Sequence, residues 1–330
     1  MILLVQSLRK VKPDVTLAYF IKPVIYGTLA AWLAGVRRRF ALIEGLGYVF
    51  TPPAGIEPVG RRLLRRAVVG LYRVALQRAS RVFLLNDDDI NEFLTRGLVH
   101  SAAVVKLGGI GVDLEQWRPA APVVRPITFL LAARLLREKG ITEFAEAARQ
   151  VKARHPTVRF ILLGGLDPNP GALSRAEVER WVAEGILEWP GHVEVRPWLE
   201  QASVYVLPSY YREGVPRSTQ EAMAMARPVI TTDAPGCRDT VIEGKNGFLV
   251  PIRDPAALAA AMLRFVECPE LIVSMGQASR RLAVARFDVH KVNRMMIEAM
   301  GFSPATIDSP ERVHAVPVKE AERGVIGEEV

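Results

Sequence analysis

Cysteine is nearly absent: only Cys237 and Cys268 occur in 330 residues. Two thiols give no disulfide framework, which excludes the bridged secreted scaffolds and suits a reducing cytosol. Histidine is scarce too, with five residues. No Cys/His cluster has zinc-ligand spacing, so no metal and no other cofactor is expected. Long apolar runs are also missing. The longest apolar region, 15–36, is interrupted by Lys22, Pro23 and Gly27. A charge at the centre of a membrane span costs about 2.5–3.5 kcal/mol on insertion scales, so a strand, a turn and a helix are expected there instead. A secretory leader is not expected either, because Arg9, Lys10 and Lys12 follow the short apolar start rather than precede it.

The length suffices for two domains of ordinary size, and 50% apolar residues suffice for their cores. The net charge of +8 is uneven. Residues 1–120 hold 17 Lys and Arg against 9 Asp and Glu, and the rest holds 26 of each. The whole excess therefore lies in the first third. An anionic membrane surface or a nucleic acid would be attracted to it. No basic patch is interleaved with aromatics and no nucleic-acid motif occurs, so the membrane is the expected partner.

Strand and helix patterns alternate along the chain, which predicts parallel sheets with right-handed crossovers. Three prolines in 119–126 mark a linker. Domain boundaries are expected at 1–120 and 121–290, with a closing helix at 291–302 and a loosely ordered tail at 303–330. Strands are expected at 15–20, 40–43, 81–85, 104–107, 127–133, 158–163, 192–195, 204–209 and 229–232. The helix predicted at 61–80 is amphipathic. At about 100° per residue, Arg61, Arg62, Arg65, Arg66 and Arg73 share one side. Leu63, Leu64, Ala67, Val68, Leu71, Val74 and Ala75 share the other, which is expected to face the core while the arginines face lipid headgroups. Asn86, Asp87, Asp88 and Asp89 look metal-like but read as a helix cap and a dipole complement. Gly108, Gly109 and Gly111 lack a third spaced glycine and a following helix, so they make a weak dinucleotide fingerprint.

The chemistry concentrates in 204–228. An apolar run reads as a buried strand. Then come Tyr210-Tyr211-Arg212-Glu213-Gly214-Val215-Pro216-Arg217-Ser218 and the helix formers around Ala222 and Met223. Pro216 suits a first helical position, Arg227 a last turn, and Pro228 a stop. A strand therefore feeds a loop and then a helix N-terminus, where free N–H groups and the dipole attract anions such as a diphosphate. Glu213 and Glu221 bracket that start. Carboxylates repel phosphate but accept hydrogen bonds from sugar hydroxyls. A nucleotide-sugar fits the mixture. Arg134 and Lys139 follow the strand at 127–133, where two cations could neutralise a leaving diphosphate.

The Glu213…Glu221 pair, with Glu-Gly-Val-Pro-Arg-Ser, Glu-Ala-Met-Ala, Arg-Pro-Val-Ile, Pro-Gly-Cys-Arg-Asp and Asn-Gly-Phe-Leu-Val-Pro around it, resembles the signature of retaining glycosyltransferases of family four. The resemblance implies an α/β GT-B fold: two Rossmann-like domains with parallel sheets, the first one incomplete. Roughly two strand–helix units, about 60 residues, are then expected ahead of the first residue here. It implies a metal-free enzyme with Glu213, Arg134 and Lys139 as catalytic residues, and with Gly214, Val215, Pro216, Glu221 and, for the base, Arg196 binding the donor.

Ile-Lys-Pro-Val-Ile-Tyr-Gly at 21–27 and Glu-Gly-Leu-Gly-Tyr-Val-Phe at 44–50 resemble a branch that adds N-acetylhexosamines or related sugars to polyprenyl-diphosphate-linked saccharides. They make Lys22, Gly45, Gly47 and Tyr48 acceptor-side candidates. Ile21-Lys22-Pro23 stands where many relatives carry a catalytic histidine. The expected protein transfers a hexose or N-acetylhexosamine from a UDP-sugar, on the inner face of the cytoplasmic membrane. A nucleotide-sugar isomerase, a sugar phosphorylase, or a nucleotide-binding chain without turnover are the alternatives on the same fold.

Overall fold

The computed structural model of this chain describes residues 1–47, 50–51, 59–169 and 171–302. Tyr48 and the tail 303–330 lie outside the described residues. The first part runs α1 (Ile2–Val11), β1 (Val15–Tyr19), a π-helical turn (Pro23–Gly27), α2 (Thr28–Leu33), β2 (Arg38–Ile43), α3 (Val59–Leu76), β3 (Arg81–Leu84), α4 (Asp87–Thr95) and β4 (Val104–Lys106). The four strands are parallel and stand in chain order.

The second part runs β5 (Thr128–Ala132), α5 (Ile141–Arg154), β6 (Arg159–Leu163), α6 (Arg175–Ala183), β7 (Glu188–Gly191), α7 (Arg196–Glu200), β8 (Val204–Leu207), α8 (Arg217–Ala224), β9 (Val229–Thr232), β10 (Gly247–Val250), α9 (Pro255–Glu267), α10 (Glu270–Arg286) and α11 (Val289–Ala299). Its six parallel strands are ordered β10-β9-β8-β5-β6-β7. β5, β8 and β9 are buried throughout, as strands covered on both faces must be. Among the described residues no helix is long and apolar enough to cross a membrane.

The two sheets share an apolar seam. Phe40, Leu42 and Phe83 from the first meet Val215, Met223, Val229 and Phe287 from the second. α11 closes it with Val292, while Met296 and Ala299 pack alongside. Arg38 then donates to the Met300 carbonyl and lies 4.3 Å from the centre of the Phe302 ring. The turn at Gly111 explains how the chain gets there. A Cβ on Gly111 would sit 2.7 Å from Val289 Cα, at a φ of +79°. Only glycine lets the Val112 N–H reach the Phe287 carbonyl, at 2.8 Å.

Four expectations are corrected. The strand after α6 is Glu188–Gly191 rather than 192–195. β6 takes Glu188 and Gly191 as partners, and the φ of +87° at Gly191 ends the pairing. Arg227 lies beyond α8, which stops at Ala224. Its buried guanidinium donates to the carbonyls of Leu199 (2.6 Å), Ala120 (2.8 Å) and Glu200 (3.2 Å). It ties the linker to the second sheet instead of completing a helix end. Pro216 is the residue before α8, not its first. Finally, α3 is rotated. Tyr72, Ala75 and Leu76 are buried, Val68 and Val69 pack on the core, and Arg61 and Arg65 are half-buried. Leu63, Leu64, Leu71 and Val74 point outward. The border between the arginine and leucine sides faces the core, roughly a quarter-turn from the expected setting.

Candidate active site

Strand order reverses between β5 and β8. In open α/β sheets ligands bind outside the carboxyl ends of the strands at such a reversal. The loops leaving β5 and β8 carry most of the residues picked from the sequence.

After β5 the chain must stay close to its neighbours. A Cβ on Gly164, after β6, would stand 1.9 Å from the Ala133 carbonyl oxygen. This approach brings Arg134 Nη1 to 3.0 Å from Asp167 Oδ2. Gly140 has a φ of +74°, and a Cβ there would lie 2.1 Å from the Pro208 carbonyl oxygen. No other residue fits, and the fit presses Lys139 against the end of β8.

Glu213 is held there. Lys139 Nζ is 2.5 Å from Glu213 Oε1. The Ser209 hydroxyl donates to the same oxygen at 2.9 Å and accepts from the Tyr211 N–H at 3.2 Å. Thr232 Oγ1 fixes the Ser209 carbonyl. The Lys139 and Glu213 side chains are 14% and 12% exposed, so their pairing is little screened. Behind them Cys237 is fully buried, its thiol pushed up to about 12 by burial and then by the Glu213 charge. It is inert.

Glu221 stands on the first turns of α8. Arg217 Nε lies 2.9 Å from its Oε1. Burial raises its pKa and Arg217 opposes that shift. Tyr205 of β8 is buried and donates to the Ala132 carbonyl at 3.0 Å. Burial raises the phenol's pKa, and the charges of Glu221 and Glu213 add to the rise. Pro216 caps α8 without a side-chain bond. Val215 turns its side chain into the inter-sheet seam, which leaves only its backbone for a ligand.

The first sheet grips this loop. A Cβ on Gly45 would be 2.6 Å from Gly214 N, and one on Gly214 would be 2.0 Å from the Glu44 carbonyl oxygen. The loops therefore run backbone against backbone. Arg212 is held three ways. Its carbonyl accepts from the Gly47 N–H at 3.1 Å, and its N–H donates to Thr51 Oγ1 at 3.0 Å. Its Nη2 is 2.8 Å from Asp89 Oδ1, whose side chain is 1% exposed. The Asn86 amide donates to the Gly214 carbonyl at 2.6 Å while its Oδ1 caps α4 on the Asp89 N–H at 2.8 Å. Arg238 meets Asp88 at 2.7 Å. The cap at Asn86 was legible. The use of Asp88 and Asp89 as bridges to the second sheet was not. Burial pushes Asp89 up to about 6, with Arg212 opposing.

A cavity of about 460 Å³ opens between the two loop sets, lined by Lys22, Glu44, Gly45, Gly47, Arg134 and Glu213 among others. The structure thus brings together Arg134, Glu213, Lys22, Gly45 and Gly47. Lys139 stands behind Glu213. Glu221 and Arg196 are not among the lining residues. Arg196 pairs with Glu194 at 3.2 Å and lines a separate cavity of about 470 Å³ with Glu115, Arg118 and Glu200. Sequence reasoning missed Glu44, half-buried with its pKa raised by burial, although it opens a quoted motif. It missed Arg212 inside another. Among the described residues no group of three His, Cys, Asp or Glu could hold a metal ion.

Residues 126–268 match the glycosyl transferases group 1 family. The chain is 26% identical over 267 residues to the N,N'-diacetylbacillosaminyl-diphospho-undecaprenol alpha-1,3-N-acetylgalactosaminyltransferase of Campylobacter jejuni, covering 76% of this chain and 67% of that one. It is 27% identical over 188 residues to the amylovoran biosynthesis glycosyltransferase AmsK of Erwinia amylovora, covering 53% of this chain and 45% of that one. Among solved structures, Anabaena Alr3699/HepE in complex with UDP superimposes with a TM-score of 0.74 at 19% identity, covering 91% of this chain and 81% of that one. At that identity the likeness is one of fold.

Proposed function

We propose that this chain, which carries a glycosyl transferases group 1 domain on a GT-B fold, transfers a hexose or N-acetylhexosamine from a UDP-sugar to a saccharide on a polyprenyl diphosphate, with retention. One observation carries the reading: the Lys139–Glu213 pair at the strand-order reversal, facing a cavity whose other wall is the glycine loop of the first sheet. The Campylobacter relative's name, with its diphospho-undecaprenol acceptor, and the UDP in the Anabaena complex support it.

In this reading the diphosphate meets Arg134, Lys139 and the backbone N–H groups of Gly214 and Val215, with Pro216 setting the start of α8; these serve in place of a metal. Glu213 orients the sugar and offsets positive charge at its anomeric carbon. Glu221 takes the ribose and Arg196 the base. Lys22, Gly45 and Gly47 line the acceptor side. The basic first third holds the protein on the inner, anionic face of the cytoplasmic membrane.

Arg134→Ala removes a charge-assisted contact, so UDP affinity falls by about 1.5–3 kcal/mol. Titration calorimetry checks this, and an unchanged UDP affinity overturns the phosphate assignment. Product analysis with UDP-sugars and a polyprenyl-diphosphate saccharide tests the reaction. An epimerised nucleotide-sugar, or cleavage that depends on phosphate, refutes transfer.

A further inference from the structure

The outward row of α3 is apolar and long. Leu63, Leu64, Leu71 and Val74 are 57%, 50%, 39% and 52% exposed, and Val59 at the helix start is 70% exposed. At about 100° per residue these side chains span one face, and Arg62, Arg66 and Arg73 run down a single flank of it. α3 packs on α2 and on the π-helical turn, which add the exposed Trp32 and Tyr26. The inner side of the same helix bears Tyr72, which lines the cavity that holds Glu213.

A row of leucines bordered by arginines matches acyl chains bordered by anionic headgroups. It matches a second copy of this chain poorly, because each copy would set its arginine border against a surface of the same excess charge. We propose that α3 lies in the interface of an anionic bilayer, with Leu63, Leu64, Leu71 and Val74 among the acyl chains and Arg62, Arg66 and Arg73 at headgroup level. The inference rests on the membrane-bound, lipid-linked acceptor proposed above and adds what that reading lacks, a surface and an orientation. One helix thickness, about 10 Å, then separates the bilayer from the cavity wall. Charge attraction alone would release the protein in salt; inserted leucines would not.

Flotation of the full chain with vesicles of phosphatidylglycerol and phosphatidylcholine tests this. In about 1 M salt, where screening limits charge attraction to about 3 Å, a fraction of the protein should stay bound. Leu63→Gln with Leu71→Gln and Val74→Gln should lower partition roughly 100-fold at either salt level, and Arg62→Gln with Arg66→Gln and Arg73→Gln should remove only the salt-sensitive part. Should the leucine variant misfold, Leu63→Trp keeps the question open to test: brominated lipid should quench it beyond the quenching of the unaltered chain. Flotation with no added quenching overturns the α3 surface and leaves the membrane reading standing. No flotation at all overturns both. A dimer in light scattering that the leucine variant abolishes, without vesicle binding, assigns the row to a second copy and overturns the proposal.

Discussion

Glu213→Gln abolishes sugar transfer yet binds UDP at least as tightly as the unaltered chain. The reason lies in how Glu213 is held. Lys139 and Ser209 both engage Oε1, so the carboxylate is fixed before any ligand arrives. The amide keeps that shape and loses the charge. A fixed charge aimed at a developing opposite charge supplies about 10²–10³ in rate, so turnover falls at least that far. UDP affinity moves the other way because Lys139 gives up its anionic partner. A diphosphate then meets an ammonium that no carboxylate shares. Lys139→Met makes the mirror case: Glu213 keeps an uncompensated charge in a little-exposed place, at a cost of about 3 kcal/mol or more. That variant should melt lower and bind UDP more weakly than Arg134→Ala. Calorimetry and initial rates decide. A UDP affinity tenfold lower in Glu213→Gln would show that the carboxylate organises the nucleotide and not the sugar.

Much of this site was legible because its signals are local. α5 begins and ends at the residues its pattern gives, Ile141 and Arg154. Gly140 cannot continue a helix backward at its positive φ, and the apolar spacing of Phe144, Ala147, Ala148 and Val151 leaves one inward face. Ser174 caps α6, and Glu177 completes a capping box there. Glu213 and Gly214 fall on the loop between strand and helix, where the order of elements puts them.

The illegible parts depend on distant partners. The sides of α3 are two equal stripes, and periodicity cannot say which border meets α2 and the π-helical turn. The Asp89–Arg212 pair joins residues 123 apart, and nothing local in either segment requires the other. Asp89 looked complete as a helix-start acid. Glu44 was overlooked because its glycine neighbours explained the motif by backbone shape alone.

The grip on Arg212 makes the second large prediction. Glu213 follows Arg212 directly, and Arg212 is anchored by Gly47, Thr51 and Asp89 of the first sheet. The carboxylate of one half is therefore positioned by the other half. Asp89→Asn leaves a guanidinium that is only 16% exposed without its counter-charge, a loss of about 3 kcal/mol in that contact. Transfer should fall at least tenfold while UDP affinity, which depends on Arg134 and α8, stays.

The pH dependence separates this from simple damage. Asp89 has a folded pKa of about 6, above the ordinary 3.8, because burial outweighs Arg212. The folded chain thus holds the proton more tightly than the unfolded one. Between pH 3.8 and about 6 the contribution of Asp89 to stability falls as pH rises, and it is constant above. Activity runs the opposite way, since only the charged form holds Arg212. The unaltered chain should gain activity and lose some stability across the same window. Asp89→Asn should show neither slope at that site. Melting curves and rates measured from pH 4 to pH 7 compare the two. Parallel profiles in both proteins would mean that Asp89 neither titrates in this window nor positions the loop that carries Glu213.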